Sequence, residues 1–326
     1  PYNGPVQHIF FHPLIAYPEL TFDGDAQEKG FNDYFTTIDE FNGVIQALYE
    51  NDYILIDINK LIEEVEEDGK MTVKRSQLML PEGKKPLIIS IDDMNYYDYM
   101  RENGTIYKLI LDDRGEIATY SINPDGKEEI AYDNEIVSLL DRFVEEHPDF
   151  SFEGAKGVIA LTGYEGILGY RTNELDSPKF EEEKKAAITV VEQLKEMGWT
   201  FASHGYGHLD ASKVSVEKLK KDTDRWKREV ESLIGPTKVY IYPYGSRVLP
   251  GDPKFDLLID AGFTILSAVG SQAYEKMAPN ALMQDRRHID GIGLIHQRDR
   301  FLDLFDSYKL IDYDVRPKKY WEEIKS

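Results

Sequence analysis

The chain has 326 residues, 41% of them hydrophobic, with 15 Phe and 21 Tyr. That is enough apolar surface for a large core and excludes a disordered chain. With 38 basic against 60 acidic residues the formal net charge is −22, a field that repels phosphate backbones and anionic lipid, so no nucleic-acid or membrane-surface partner is expected.

No apolar run approaches the ~20 residues needed to cross a bilayer, so no integral membrane segment is expected. Cysteine is absent, which removes disulfides, thiolate metal sites and a Cys nucleophile. The first residue is Pro1 rather than Met; the expectation is that any signal peptide or lipid anchor lies outside this sequence.

No internal repeat, low-complexity tract or Pro/Ser-rich linker interrupts the chain, so one unit over residues 1–326 is expected. The apolar run 7–11 reads as a buried strand. Thr37-Ile-Asp-Glu40 fits a capping box, and Phe41, Val44, Ile45 and Leu48 continue it at helical spacing. Residues 53–56 read as a strand, 58–67 as a short acidic helix, and 87–91 as a strand ending in Asp92-Asp93.

The next stretch changes character. Runs at 105–111, 116–122 and 127–132 are separated by Asp112-Asp-Arg-Gly115 and Asn123-Pro-Asp-Gly126, which predicts a β-meander inserted at about 103–133. Beyond it come a helix at 134–147 with Ile136, Leu139, Leu140 and Phe143 on one face, and a strand at 157–161. Helices at 181–197, 216–233 and 253–261 then alternate with strands at 200–203, 238–242 and 264–268. Regular βα alternation implies a parallel sheet or barrel with its active site at the C-terminal strand ends.

Three features fall at such ends. Asp92 and Asp93 are adjacent on an extended chain and point opposite ways, so one can face a metal while the other faces a water. Ser203-His204-Gly-Tyr-Gly-His208 places two imidazoles four residues apart, able to converge on one ion, and two His with one carboxylate leave positions open for water and substrate. Tyr240-Ile-Tyr-Pro-Tyr-Gly245 runs a strand into a turn that can present a backbone N–H to a developing oxyanion.

In this order the three motifs resemble those of the NodB-type polysaccharide deacetylases, carbohydrate esterase family 4. Ile9-Phe-Phe-His12-Pro-Leu-Ile15 resembles the strand that opens the circularly permuted members, in which the acid His comes first. The resemblance covers residues 7–95 and 155–295, omitting the meander. It implies a distorted (β/α) barrel of NodB type, circularly permuted, with a β-meander insertion. It also implies hydrolysis of N-acetyl groups on a polysaccharide containing N-acetylglucosamine or N-acetylmuramic acid, at the surface of a bacterial cell or outside it.

Carried over residue by residue, the resemblance makes Asp92 the general base and Asp93, His204 and His208 the ligands of one divalent metal ion. Zinc is first choice, with cobalt, nickel or manganese as alternatives. His12 becomes the general acid and the Tyr244 backbone N–H a donor to the acetyl oxygen. Arg286, in Asp285-Arg-Arg-His-Ile-Asp-Gly291, stands for the arginine that orients the base, since Ile241 occupies the usual arginine position.

His296 competes with His12 for the acid role and ranks below it; His8 and His288 read as structural or exposed. Tyr96, Tyr97, Tyr99, Tyr164, Tyr170 and Tyr206 are candidates for sugar stacking. Met94 replaces a glycine beside the proposed metal ligand, a change expected to reshape the site floor. With Ile241 it motivates a second reading, a weak or inactive cell-surface glycan-binding protein on the same fold. A glycoside hydrolase ranks last, because no second carboxylate motif stands at a later strand end.

Overall fold

Strands of a closed parallel barrel are covered on both faces and should be apolar along their whole length. Burial of that kind runs through β1 (Gln7–Phe11), β5 (Lys85–Asp92), β9 (Val158–Leu161), β10 (Thr200–Ser203), β11 (Val239–Ile241), β12 (Ile265–Val269) and β14 (Ala281–His288), although β14 is mixed in composition. The computed structural model describes residues 1–67 and 69–324. In it these seven strands follow the order β1-β14-β12-β11-β10-β9-β5, and β5 pairs with β1 to close the barrel. This is the (β/α) barrel expected from the alternation.

Further strands decorate it. β2 (Tyr53–Leu55) pairs in parallel with β5, and β13 (Tyr274–Ala278) lies antiparallel on β14. β6 (Lys108–Leu111), β7 (Ile117–Ile122) and β8 (Glu128–Ala131) form the expected three-stranded meander. Leu109 and Ile117 of that meander join the same buried cluster as barrel residues Ile9, Ile89 and Leu161. The capping box at Thr37 is present, with its side chain and that of Glu40 each bonded to the other's backbone N–H.

The acidic helix expected at 58–67 is a correction. A 3-10 turn covers Ile58–Leu61, and β3 (Ile62–Glu67) pairs antiparallel with β4 (Lys70–Arg75). A helix would have stacked Glu63, Glu64, Glu66 and Glu67 at like-charge i,i+3 and i,i+4 spacings, whereas the hairpin sets Glu63 opposite Lys74. The helix expected at 216–233 is regular over Val216–Trp226 and then widens into a π turn at Lys227–Glu231. The β13–β14 hairpin had no counterpart in the periodicity reading.

The C-terminal segment is held by a buried ion pair, Arg316 Nε to Glu40 Oε1 at 2.6 Å. Arg316 also donates to the backbone carbonyls of Asn32 and Phe35, each at 2.7 Å. It therefore braces the loop that carries Tyr34 and Phe35 to the mouth of the barrel.

Candidate active site

The C-terminal ends of β1, β5, β10, β11 and β14 converge on a cavity of about 530 Å³ lined by His12, Asp92, Asp93, His204, His208, Tyr244 and Arg286, among others. The structure thus brings together all seven residues singled out from the sequence. Three of them, Asp93 (φ +63°), His208 (φ +53°) and Tyr244 (φ +58°), hold the left-handed backbone that non-glycine residues rarely adopt. Such conformations persist only where the surroundings impose them, and they concentrate at functional sites.

Asp92 ends β5 with its side chain inside the barrel. Arg286 grips it in a fork, Nη1 to Oδ1 at 2.6 Å and Nη2 to Oδ2 at 3.0 Å. Both are almost wholly buried, at 3% and 1% exposure. Alternation along β14 sends Arg286 inward and Arg287 to the other face, where it pairs with Asp303. Burial opposes ionisation of Asp92, but the Arg286 guanidinium, with His204 and His12, outweighs it and holds the carboxyl below the usual range. Ser90 accepts from Arg286 Nη1 at 3.2 Å and meets His8 Nε2 at 2.8 Å; His8 in turn meets Gln284 Oε1 at 2.8 Å. The His8 ring, read as structural or exposed, is buried beneath the base.

One residue on, the left-handed turn swings Asp93 away from Asp92 and toward the histidines. The ligand atoms of Asp93, His204 and His208 all lie within 4.8 Å of one another. His204 Nδ1 donates to the Ile241 carbonyl at 2.8 Å, so the free lone pair is on Nε2, the atom 4.0 Å from Asp93 Oδ1. Fixing the tautomer through the second nitrogen is what a metal-binding imidazole needs. Burial and the neighbouring His204 lower the His208 pKa, favouring its neutral form. Asp222 clamps the intervening loop, accepting from Tyr206 N at 2.7 Å and Gly207 N at 2.8 Å. Two imidazoles and a carboxylate facing an open cavity fit a divalent cation with positions left for water and substrate.

His12, just past β1, faces the same cavity. Its Nε2 lies 3.6 Å from Asp93 Oδ2, and its Nδ1 lies 3.2 Å from the Tyr34 carbonyl and 3.1 Å from His288 Nε2. His288 Nδ1 is 2.8 Å from Asp290 Oδ2. Asp290 therefore accepts from His288, whose Nε2 accepts from His12 Nδ1–H, and His12 Nε2 is left facing the cavity. Burial and the adjacent His288 push the His12 pKa down to about 4. His288 is thus a member of the cavity wall. His296 stands exposed at the end of the helix Gly291–His296, outside the cavity lining.

Two further expectations need correction. Met94 is fully buried in the main hydrophobic cluster and is not part of the cavity lining, so it does not reshape the site floor. The left-handed turn at Asp93 carries the next side chain into the core. Of the six tyrosines considered for sugar contact, Tyr96, Tyr97, Tyr170 and Tyr206 are buried, leaving Tyr99 at 41% and Tyr164 at 37% exposure. Sequence reasoning missed Asp222, Asp290 and the role of His288. Asp290 gave one signal: it caps the helix that begins at Gly291, accepting from Gly293 N.

Residues 180–264 match the polysaccharide deacetylase family model, a segment that carries His204, His208 and Tyr244. That segment of the chain is similar to the polysaccharide deacetylases. Among solved structures, the deacetylase-fold protein BA0330 of Bacillus anthracis is 14% identical with a TM-score of 0.50, the match covering 88% of this chain and 65% of that one. The Streptococcus pyogenes deacetylase PplD, solved with acetate, is 13% identical with a TM-score of 0.48, over 89% of this chain and 94% of that one. No curated protein matches the sequence. Asp92, Asp93 and His12 lie outside the matched segment of the deacetylase model, so their places in the site rest on geometry alone.

Proposed function

We propose that the chain, as one unit over residues 1–326, is a metal-dependent hydrolase. It removes N-acetyl groups from a polysaccharide containing N-acetylglucosamine or N-acetylmuramic acid, outside a bacterial cell. The observation that carries this reading is the convergence of Asp93, His204 and His208 within 4.8 Å, beside a carboxylate held ionised by Arg286 and the His12 imidazole, 3.6 Å from Asp93.

Asp93, His204 and His208 would hold the ion, zinc before cobalt, nickel or manganese. When bound, it would polarise the acetyl carbonyl and acidify a water. The remaining work belongs to the chain. Asp92, fixed in the Arg286 fork, accepts the proton of the attacking water. His12 turns its Nε2 to the cavity, takes up a proton there from solvent and, as the imidazolium, gives it to the departing amine, which leaves poorly without it. The Tyr244 turn, at the exposed rim, offers its backbone N–H to the oxygen on which charge builds.

Neither feature behind the glycan-binding alternative favours it here: Met94 is in the core, and Arg286 reaches Asp92 from β14 where Ile241 cannot. The net charge of −22 favours neutral or partly deacetylated, cationic glycans over phosphate-rich polymers. Metal content by mass spectrometry on wild type and on His204→Ala/His208→Ala, paired with acetate release from N-acetylglucosamine oligomers, tests the reading. It stands if wild type carries one equivalent and releases acetate while the variant does neither. Absence of metal from wild type overturns it.

A further inference from the structure

The proposed metal carboxylate has a partner the mechanism does not use. The Tyr97 hydroxyl donates to Asp93 Oδ1 at 2.7 Å, four residues along the same turn. It also lies 2.5 Å from Thr162 Oγ1. A phenol has one proton, and the carboxylate can only accept, so the direction is fixed: Thr162 donates to Tyr97, and Tyr97 donates to Asp93. All three are buried, Asp93 at 6%, Tyr97 at 2% and Thr162 at 0% exposure. Water does not compete for these bonds.

The geometry of the chain is held at both ends. Asn95 ties the turn to the strand end, donating to the Thr162 carbonyl at 2.9 Å and accepting from Thr162 N at 3.2 Å. The Tyr97 ring is stacked on Tyr164 at 4.7 Å between centroids, and Tyr99 lies parallel at 6.0 Å. The ring therefore has little freedom to swing away from Asp93. Its bond engages the carboxylate oxygen that lies 4.0 Å from His204 Nε2, while Oδ2 is turned to His12.

We propose that Tyr97 is a positioning residue for the metal centre: its hydroxyl fixes the rotation of the Asp93 carboxylate so that one oxygen is presented to the ion between His204 and His208. The inference rests on the metal reading given above. Hydrogen-bond partners of metal ligands commonly affect metal affinity by ~10–100-fold, and Tyr97→Phe removes this one while keeping the aromatic stack.

The test titrates metal-free protein with Co²⁺ and Zn²⁺, following the Co²⁺ absorption spectrum and competing Zn²⁺ against a chelator, for wild type, Tyr97→Phe, Thr162→Val and His204→Ala. The melting temperature of each metal-free protein is taken alongside. The expected result is a Tyr97→Phe dissociation constant raised ~10-fold or more with an altered Co²⁺ spectrum and an unchanged metal-free melting temperature. Thr162→Val, which removes only the bond behind Tyr97, shifts affinity in the same direction by less.

Affinity and spectrum equal to wild type in Tyr97→Phe, with binding abolished in His204→Ala, overturn the positioning role and leave the metal site standing. Lack of binding by wild type overturns the metal reading itself. Should Tyr97→Phe lower the metal-free melting temperature, Thr162→Val decides: unchanged affinity there assigns Tyr97 to packing.

Discussion

Two parts of the cavity wall are built differently. In the base wall, Asp92 and Arg286 come from β5 and β14, the strands on either side of β1, meet in a two-point fork and are buried to within a few per cent. In the acid wall, His12 stands just beyond β1 itself and is reached through His288 from Asp290, by contacts of 3.1 and 2.8 Å, with its side chain 18% exposed. The base is rigid and held in one protonation state by a permanent charge. The acid is linked through a second imidazole rather than a permanent charge. A group that must receive a proton needs a fixed ionised form, whereas a group that must give one and be recharged needs access and a neighbour able to adjust.

The sharpest break in that comparison is Asp92→Asn. The amide keeps the shape but can no longer take a proton, and loss of a general base costs on the order of 10²–10⁴ in kcat. Acetate release should fall by that factor while metal content stays at the wild-type level, because the proposed metal ligands are Asp93, His204 and His208. Equal losses of metal and turnover would instead place Asp92 among the ligands.

Arg286→Met removes the other half of the fork. It leaves Asp92 buried without its cation, a change that typically costs about 3–5 kcal/mol of stability. The stacking of the guanidinium over Phe10, 3.9 Å from the ring centroid, is lost as well. Denaturant melts should show the loss, and Arg286→Lys, which keeps the charge without the fork, should recover part of it. A variant as stable as wild type would mean that Asp92 is not held ionised by this pair.

The walls meet at Glu135, which is fully buried. It accepts from Leu14 N at 3.3 Å on the acid side and from the Tyr96 hydroxyl at 3.1 Å on the base side. Burial lifts its pKa from 4.5 to about 7 despite those bonds. Because the folded value lies above the unfolded one, folding favours the protonated form. The cost of ionising Glu135 is therefore absent below about pH 4.5, grows as pH rises, and is complete above about pH 7. A rise of that size converts to about 3 kcal/mol. In Glu135→Gln the amide keeps the bonds without the charge, so the drop in stability from pH 4.5 to 8 should shrink by that amount. Asp141, raised to about 6 by burial, adds a drop of the same sign that remains in both proteins. Parallel stability curves would remove Glu135 as their cause.

The difference between the walls also decided what could be seen in the sequence. Asp92, Asp93, His204 and His208 follow apolar strands directly, so strand pattern and spacing alone set them at one end of a barrel. Arg286 was reachable only through the resemblance: β14 is mixed in polarity, QDRRH, because its side chains pair across the barrel with Asp92 and outside it with Asp303. His288 and Asp290 were illegible in their roles, since His288 depends on a partner 276 residues away at His12 and Asp290 acts through His288. Asp222 reads as an ordinary helix residue until the loop it clamps is folded against it. The helix expected at 58–67 failed for a local reason, since the cross-strand match of Glu63 with Lys74 lies outside the window in which helical spacing is judged.

His288→Gln gives the smallest effect and the most information about the acid wall. Glutamine can still accept from His12 Nδ1–H but cannot titrate, so it separates holding the ring from tuning its proton. If His288 only orients His12, the variant keeps kcat and the shape of its pH profile. Removing the neighbouring imidazole that lowers the His12 pKa lets the imidazolium form more readily. The limb assigned to His12 should then move toward higher pH, with kcat changed by less than the ~10²-fold lower end of acid–base effects, and KM unchanged. Asp290→Asn should move the same limb, because it weakens the acceptor behind His288. A shift in KM without a shift in that limb would put His288 in the substrate's path rather than behind the acid.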